Sequence, residues 1–226
     1  MFFQIAIDGP SGVGKSTVAN LLAKNLSFLH INTGLIFRGI AWYLLRNPSR
    51  EVGEVLREIS QYKIFYFHKN RWILNGKEIL EEEFKKESVT KEASKIAKKG
   101  EIRRFVLEVE REVARKENIV MEGRDIGTKV FPHAILKVFL NASPNIRAKR
   151  RFLELQEKGL LNRRTLEEIE REIKQRDLED MNRELDPLCK AEDAMEICSD
   201  GLTPEEVADS IKKEFEIRKK RLLPPV

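Results

Sequence analysis

Cysteine is nearly absent from this chain: Cys189 and Cys198 are the only two in 226 residues. With three scattered histidines they are too few and too poorly spaced for a disulfide framework or a zinc site, so reduced thiols are expected. No Ser-His-Asp or Cys-His constellation for nucleophilic catalysis stands out. Long apolar runs are also missing, and none approaches the length of a membrane span. Met1-Phe2-Phe3 leads into the first apolar run without a basic, signal-like segment, so a soluble cytoplasmic protein with no membrane partner is expected. Charge of one sign is not segregated either. The net charge is +5, yet lysines and glutamates interleave, with no basic tail and no basic stripe alternating with aromatics, so no nucleic-acid partner is expected. What remains, 41% hydrophobic and 35% charged residues, suits a globular chain with one principal core and a small satellite.

Against this background one segment is specific. Gly9-Pro10-Ser11-Gly12-Val13-Gly14-Lys15-Ser16 matches G-x-x-x-x-G-K-[ST] and follows an apolar run, Phe2 to Ile7, that reads as a buried strand. A loop that wraps a polyphosphate must bring backbone N–H groups up to its oxygens, and glycine permits that approach. Lys15 then reaches the outer phosphates as a point charge, and Ser16 places its hydroxyl on a phosphate-bound Mg²⁺. The helix that follows, with Val18, Leu21, Leu22 and Leu26 at helical spacing, aims its positive end at the anion. The chain is therefore expected to bind a nucleotide phosphate.

Downstream, Phe28 to Ile31 reads as a short strand. Asn32 and Thr33 offer N-caps for a helix carrying Ile36, Phe37, Ile40, Leu44 and Leu45, ended by Asn47-Pro48-Ser49. Residues 63–80 hold short aromatic-rich runs separated by Lys69-Asn70 and Asn75-Gly76, the pattern of hairpins. Because they interrupt a βα alternation, they are expected to form an antiparallel insert that carries substrate specificity. A charged helix from Glu101, with Ile102, Phe105, Val106, Val109 and Val113 on one face, leads to a second core strand, Asn118 to Met121. Glu122-Gly123-Arg124-Asp125 then falls where parallel sheets place ligand-binding loops, and Glu122 is a candidate second Mg²⁺ anchor acting through water. Ile135 to Leu140 and Ala194 to Cys198 complete the strands, and Thr203-Pro204-Glu205-Glu206 opens a terminal helix. The pattern predicts an α/β fold with a parallel sheet flanked by helices.

Between the last two strands lie two helices with unusual charge placement. Arg147, Arg150 and Arg151 share one face of the first. The second opens with a Thr165-x-x-Glu168 capping box and carries Ile169, Ile173, Arg176, Asp180 and Arg183 on a single stripe. An apolar stripe that turns charged predicts a cleft whose arginines meet phosphate oxygens; the alternative is an ordinary surface pair, Arg176 with Asp180. Two arginine-bearing helices suit a hinged lid that stabilises a phosphoryl group in flight and excludes water.

Four stretches together resemble the bacterial cytidylate kinases over nearly the whole chain. They are Ile7-Asp8-Gly9 through Lys15-Ser16-Thr17, Glu122-Gly123-Arg124-Asp125-Ile126-Gly127-Thr128 with Val130-Phe131-Pro132, Leu155-Gln156-Glu157-Lys158-Gly159, and Arg176-Asp177-Leu178-Glu179-Asp180-Met181-Asn182-Arg183. Many folds share the P-loop, whereas G-R-D-[IM]-G-T is much more particular. The resemblance implies a P-loop NTPase core at about 1–40, 101–145 and 185–226, a monophosphate-binding region at about 41–100 enlarged by the antiparallel insert, and a helical lid at about 146–184. It also implies transfer of a phosphoryl group from ATP to CMP or dCMP in a monomer, with Mg²⁺ on the nucleotide and no covalent enzyme intermediate.

Carried over by position, the resemblance assigns Gly9 to Thr17 to ATP, and Thr33 and Arg38 to the acceptor monophosphate. Ser94 and Arg103 would read cytosine, whose amino donor and two acceptors a hydroxyl and a guanidinium can meet. Asp125 and Asp180 would hold sugar hydroxyls, Arg124, Arg176 and Arg183 would clamp phosphate beside Lys15, and Arg147, Arg150 and Arg151 would belong to the lid. The family usually has aspartate where Asn32 and Glu122 stand, and an aromatic hydroxyl where Phe37 stands. Asn32 thus lacks a negative charge near the monophosphate, while the longer Glu122 still reaches Mg²⁺-bound water. Competing readings are a small kinase acting on AMP, UMP or shikimate, and, from another class, a nucleotide-controlled switch or nucleic-acid-stimulated ATPase. The Ser94/Arg103 pair and the insert favour cytosine, and the N-K-x-D guanine reader of many switches is absent.

Overall fold

An isoleucine-rich run followed by glycines builds the centre of the fold. Strand β1 (Gln4–Asp8) is buried from Ile5 onward, and the P-loop after it delivers the chain to α1 (Lys15–Leu26). The computed structural model describes residues 2–62, 65–68 and 71–222. After α1 come β2 (Leu29–Asn32), α2 (Thr33–Arg46), α3 (Val52–Arg57), a π-turn at Glu58–Tyr62, β3 (Phe65–His68), β4 (Arg71–Leu74) and β5 (Lys77–Ile79). Then follow α4 (Glu81–Lys85), α5 (Glu87–Ile96), α6 (Gly100–Ala114), β6 (Ile119–Gly123), a π-turn at Ile126–Val130, β7 (Leu136–Asn141), α7 (Pro144–Glu157), α8 (Leu166–Asn182), β8 (Met195–Cys198) and α9 (Pro204–Leu222). The chain divides into two compact units, Met1–Phe28 with Asn118–Val226, and Leu29–Glu117.

In the first unit four strands run parallel in the order β6-β1-β7-β8. The near-continuous burial of β1, β6 and β7 is that of strands covered on both faces, whereas β8 buries only Ile197. The core joins Ile5, Ile7, Leu22, Val120, Leu136, Val138, Ile211 and Phe215, with Phe3 and Phe28 meeting the Phe215 ring edge-on at 5.8 and 5.5 Å. β1 begins two residues later than the apolar run suggests, since the Phe3 amide bonds to Asn118 Oδ1 (2.8 Å) instead of a ladder partner. β6 continues past Met121, because the register pairs Ile7 with Glu122 and Asp8 with Gly123; Glu122 therefore lies inside a strand and is buried. Helices α7 and α8 share a smaller core of Ala148, Leu155, Ile169 and Ile173. The Thr165 capping box forms as expected, and Thr203 and Glu206 exchange the same reciprocal bonds at the start of α9.

The second unit carries the insert, a three-stranded antiparallel sheet in the order β3-β4-β5. Asn75 and Gly76 turn at φ 49° and 76°, the left-handed pair that suits a two-residue hairpin. The expected turn at Lys69-Asn70, with Lys63 and Ile64, lies outside the described residues. Trp72 docks the insert on α2: its indole is 1% exposed and donates to the Leu35 carbonyl at 2.8 Å. A Cβ on Gly39 would fall 2.0 Å from that indole, so only glycine fits there. Asn32 occupies the N-cap position of α2, but its side chain makes no capping bond. The buried face of α6 holds Arg103 and Glu110 beside Ile102 and Val106, two charges that its apolar periodicity did not announce.

Candidate active site

The P-loop geometry follows from its glycines. Gly9 passes so near β7 that a Cβ would sit 2.0 Å from the Leu140 carbonyl, and Gly14 takes φ 95° to start α1 without any side-chain cap. An uncapped helix start presents its N–H groups to an anion. Lys15, 6% exposed, donates from Nζ to the Gly9 and Pro10 carbonyls, both at 2.7 Å. Burial, then the Arg124 guanidinium, pushes its ammonium well below the ordinary lysine value, against Glu122, Asp8 and Asp180, which hold it up. Ser16 and Thr17 follow on the exposed side of α1.

Across from this loop the first unit assembles a cluster of arginines and acids. Arg124 Nε donates to Asp180 Oδ2 at 2.8 Å, and Arg183 Nη2 to Asp125 Oδ1 at 3.3 Å. Burial would raise the Asp180 carboxyl, yet Arg124 foremost, then Arg176 and Arg183, hold it below the ordinary aspartate value. The charged end of the α8 stripe thus meets the loop after β6, where Arg124 pairs with Asp180.

The arginines of α7 have divergent placements. Arg147, 4% exposed, donates from Nε to the Ala142 carbonyl (2.9 Å), and from Nη1 to the Ser11 carbonyl (2.9 Å) and Asp177 Oδ2 (2.5 Å). Asp177 Oδ1 in turn accepts the Ser11 amide at 3.1 Å. This triangle braces the P-loop from α7 and α8. Arg150 bonds to the Ser199 hydroxyl (3.1 Å) and carbonyl (2.8 Å), with a longer bond to the Val13 carbonyl (3.4 Å). Arg151 is half exposed and pairs with Glu154 on its own helix at 2.8 Å.

In the second unit, Thr33 is buried at the first turn of α2, and the Arg38 guanidinium folds back beside Gly34. Ser94 bonds to the Thr90 carbonyl at 3.2 Å. Arg103, 8% exposed, donates to the Ala97 carbonyl (3.2 Å) and has its guanidinium 5.9 Å from the centre of the Phe37 ring. The aromatic that lacks a hydroxyl thus offers its face to the guanidinium. Sequence reasoning missed Asp8 and Asp177. Both stand inside the family-like stretches, Asp8 as an acid ending an apolar strand and Asp177 one position off the α8 stripe, but neither was given a role.

A P-loop on a parallel sheet, an arginine and acid cluster beside it, and an insert-bearing second unit define the class: a nucleoside monophosphate kinase, a transferase. The family model described as cytidylate kinase matches residues 5–217. A cytidylate kinase of Caldicellulosiruptor saccharolyticus is 43% identical over 216 residues, covering 94% of this chain and 95% of its own. One from Thermotoga sp. (strain RQ2) is 44% identical over 216 residues, covering 94% and 96%. A solved structure of an uncharacterized protein from Eubacterium ventriosum shares the fold at TM-score 0.51 and 14% identity, covering 95% of this chain and 98% of its own. This chain belongs to the cytidylate kinase family.

Proposed function

We propose that the protein transfers the terminal phosphoryl group of ATP directly to CMP and dCMP, releasing ADP and the nucleoside diphosphate. The observation that supports this reading is a P-loop whose buried Lys15 is held at the Gly9 and Pro10 carbonyls and whose Ser11 is braced by Arg147 and Asp177 from the two arginine-bearing helices. Phosphates arriving at Lys15 would add negative charge that offsets the burial of its ammonium. Arg124, Arg176 and Arg183 would spread over the charge of the group in transfer, while Asp125 and Asp180 take sugar hydroxyls. Thr33 and Arg38 would hold the acceptor phosphate, and Ser94 and Arg103 the base. Arg150 and Arg151 would serve the lid directly, and Arg147 would act through the P-loop it braces.

An exposed Ser16 hydroxyl after Lys15, and a buried Glu122 within electrostatic reach of that lysine, make an oxygen donor set suited to Mg²⁺ arriving on ATP and keeping its waters. Bound there, Mg²⁺ would neutralise charge on the phosphates. No helix is long and apolar enough to cross a membrane among the described residues. The reading keeps the enzyme as a monomer in the cytoplasm. ADP release from ATP and Mg²⁺ against CMP, dCMP, UMP and AMP tests it: fast turnover with AMP or UMP and none with CMP or dCMP overturns the acceptor assignment.

A further inference from the structure

Asp8 has no role in the reading above, yet it is a buried carboxylate where two functional loops meet. It ends β1, is 5% exposed, and sits in register with Gly123 on β6 and Phe139 on β7. Its Oδ1 accepts the Ile126 amide at 2.9 Å and its Oδ2 the Gly127 amide at 2.7 Å. Those two amides open the π-turn Ile126–Val130, whose own bonds run from Lys129 and Val130 back to the Asp125 carbonyl. First-turn donors find no partner within a helical turn, and here a side chain from another strand supplies one.

The fit is close. A Cβ on Gly127 would lie 3.2 Å from Lys137 Cδ and 3.3 Å from Asp8 Oδ2, and Lys137 is itself held by Asp193 at 2.8 Å. Immediately before the turn, Arg124 and Asp125 extend to Asp180 and Arg183. Immediately after Asp8, the Gly9 carbonyl receives Lys15 Nζ. Two hydrogen bonds accepted by one carboxylate therefore join the start of the P-loop to the backbone that presents Arg124 and Asp125.

We propose that Asp8 is a positioning residue for phosphoryl transfer, holding the Arg124–Asp125 turn in register with Lys15. The inference rests on the phosphoryl-transfer reading. A carboxylate suits the task because both of its oxygens accept; asparagine would turn an amino group toward one of the two amides. Burial raises its carboxyl to about 6, with neighbouring Asp125 in the same direction and the two amides and Lys15 opposing, so it is ionised at neutral pH.

The test compares wild type, Asp8→Asn and Gly127→Ala as full-length chains near neutral pH. Gly127→Ala displaces the turn while leaving the carboxylate intact, so it carries the test if Asp8→Asn does not fold. In both variants kcat with CMP should fall about 10- to 100-fold. KM for CMP should rise, while the equilibrium Kd for ATP stays within about threefold. A wild type inactive on both CMP and dCMP overturns the parent reading. An active wild type with unchanged kcat in the folded variants overturns this one, as does a loss of ATP affinity as large as the loss of kcat.

Discussion

Removing the Asp177 side chain, as Asp177→Ala, should destabilise the first unit more than any single surface charge. The Arg147–Asp177 pair is 2.5 Å long, and its side chains are 5% and 9% exposed. Deleting one partner of such a buried pair costs about 3–5 kcal/mol, because the survivor keeps its desolvation penalty. Here Arg147 retains the Ala142 and Ser11 carbonyls, which places the cost near the lower end. At about 2–4 °C per kcal/mol for a chain of this size, a cost of about 3 kcal/mol lowers Tm by about 6–12 °C. Thermal unfolding followed by circular dichroism reads this directly. Arg147→Met should cost a similar amount, whereas the pair Arg147→Met/Asp177→Leu, which leaves no orphan charge, should cost less than the two singles added. ATP affinity should weaken in Asp177→Ala because the Ser11 amide loses its acceptor. A Tm within about 2 °C of wild type, or strict additivity in the double variant, refutes the brace.

Lys15→Met should abolish turnover with the fold intact; near-normal activity beside an unchanged circular dichroism spectrum would contradict the P-loop assignment. For Arg103→Ala the loss of kcat/KM should be larger with CMP than with UMP, and equal losses would remove its base-reading role. Gly39→Ala puts a methyl group into the Trp72 indole and should cost about 1–3 kcal/mol, seen as a lower Tm and altered tryptophan emission. The Asp8 carboxyl titrates near 6 when folded against 3.8 ordinarily, so between those values the folded state holds a proton that the unfolded state has released. Its contribution is full below the lower value and declines by about 1.4 kcal/mol per pH unit until the upper one is passed. The Tm advantage of wild type over Asp8→Asn should therefore shrink between about pH 4 and pH 6 and level off above that, and an advantage that grows would contradict the shift.

Much of the scaffold could be read from consecutive residues. The strand–loop–helix around Lys15, the Thr165 box and the Asn75-Gly76 hairpin all appear where local rules place them. Boundaries moved where a distant group competed, as when Asn118 took the Phe3 amide and β1 began later. The α8 stripe was legible as a change from apolar to charged as far as Asp180, but Arg183 lies past the last helical residue, Asn182, in extended backbone. The bond from Arg124, on the loop after β6, to Asp180 joins residues 56 apart and could not be read from spacing along one helix. Arg147, Arg150 and Arg151 looked equivalent on a helical wheel, yet the first is enclosed by protein acceptors and the third stays near solvent.

The order of residues was sufficient by itself for the phosphate-binding loop, because presenting bare N–H groups along a turn is a property of adjacent residues and their glycines. The family resemblance was legible on the same terms, in short motifs that recur in fixed order. Only the tertiary structure decided which charges are spent on the protein and which face the site. Asp8 meets an amide 118 residues away and Asp177 one 166 residues away. Such partners are set by how strands and helices stack around the core, and burial there turns an unremarkable acid into a brace whose loss is costly.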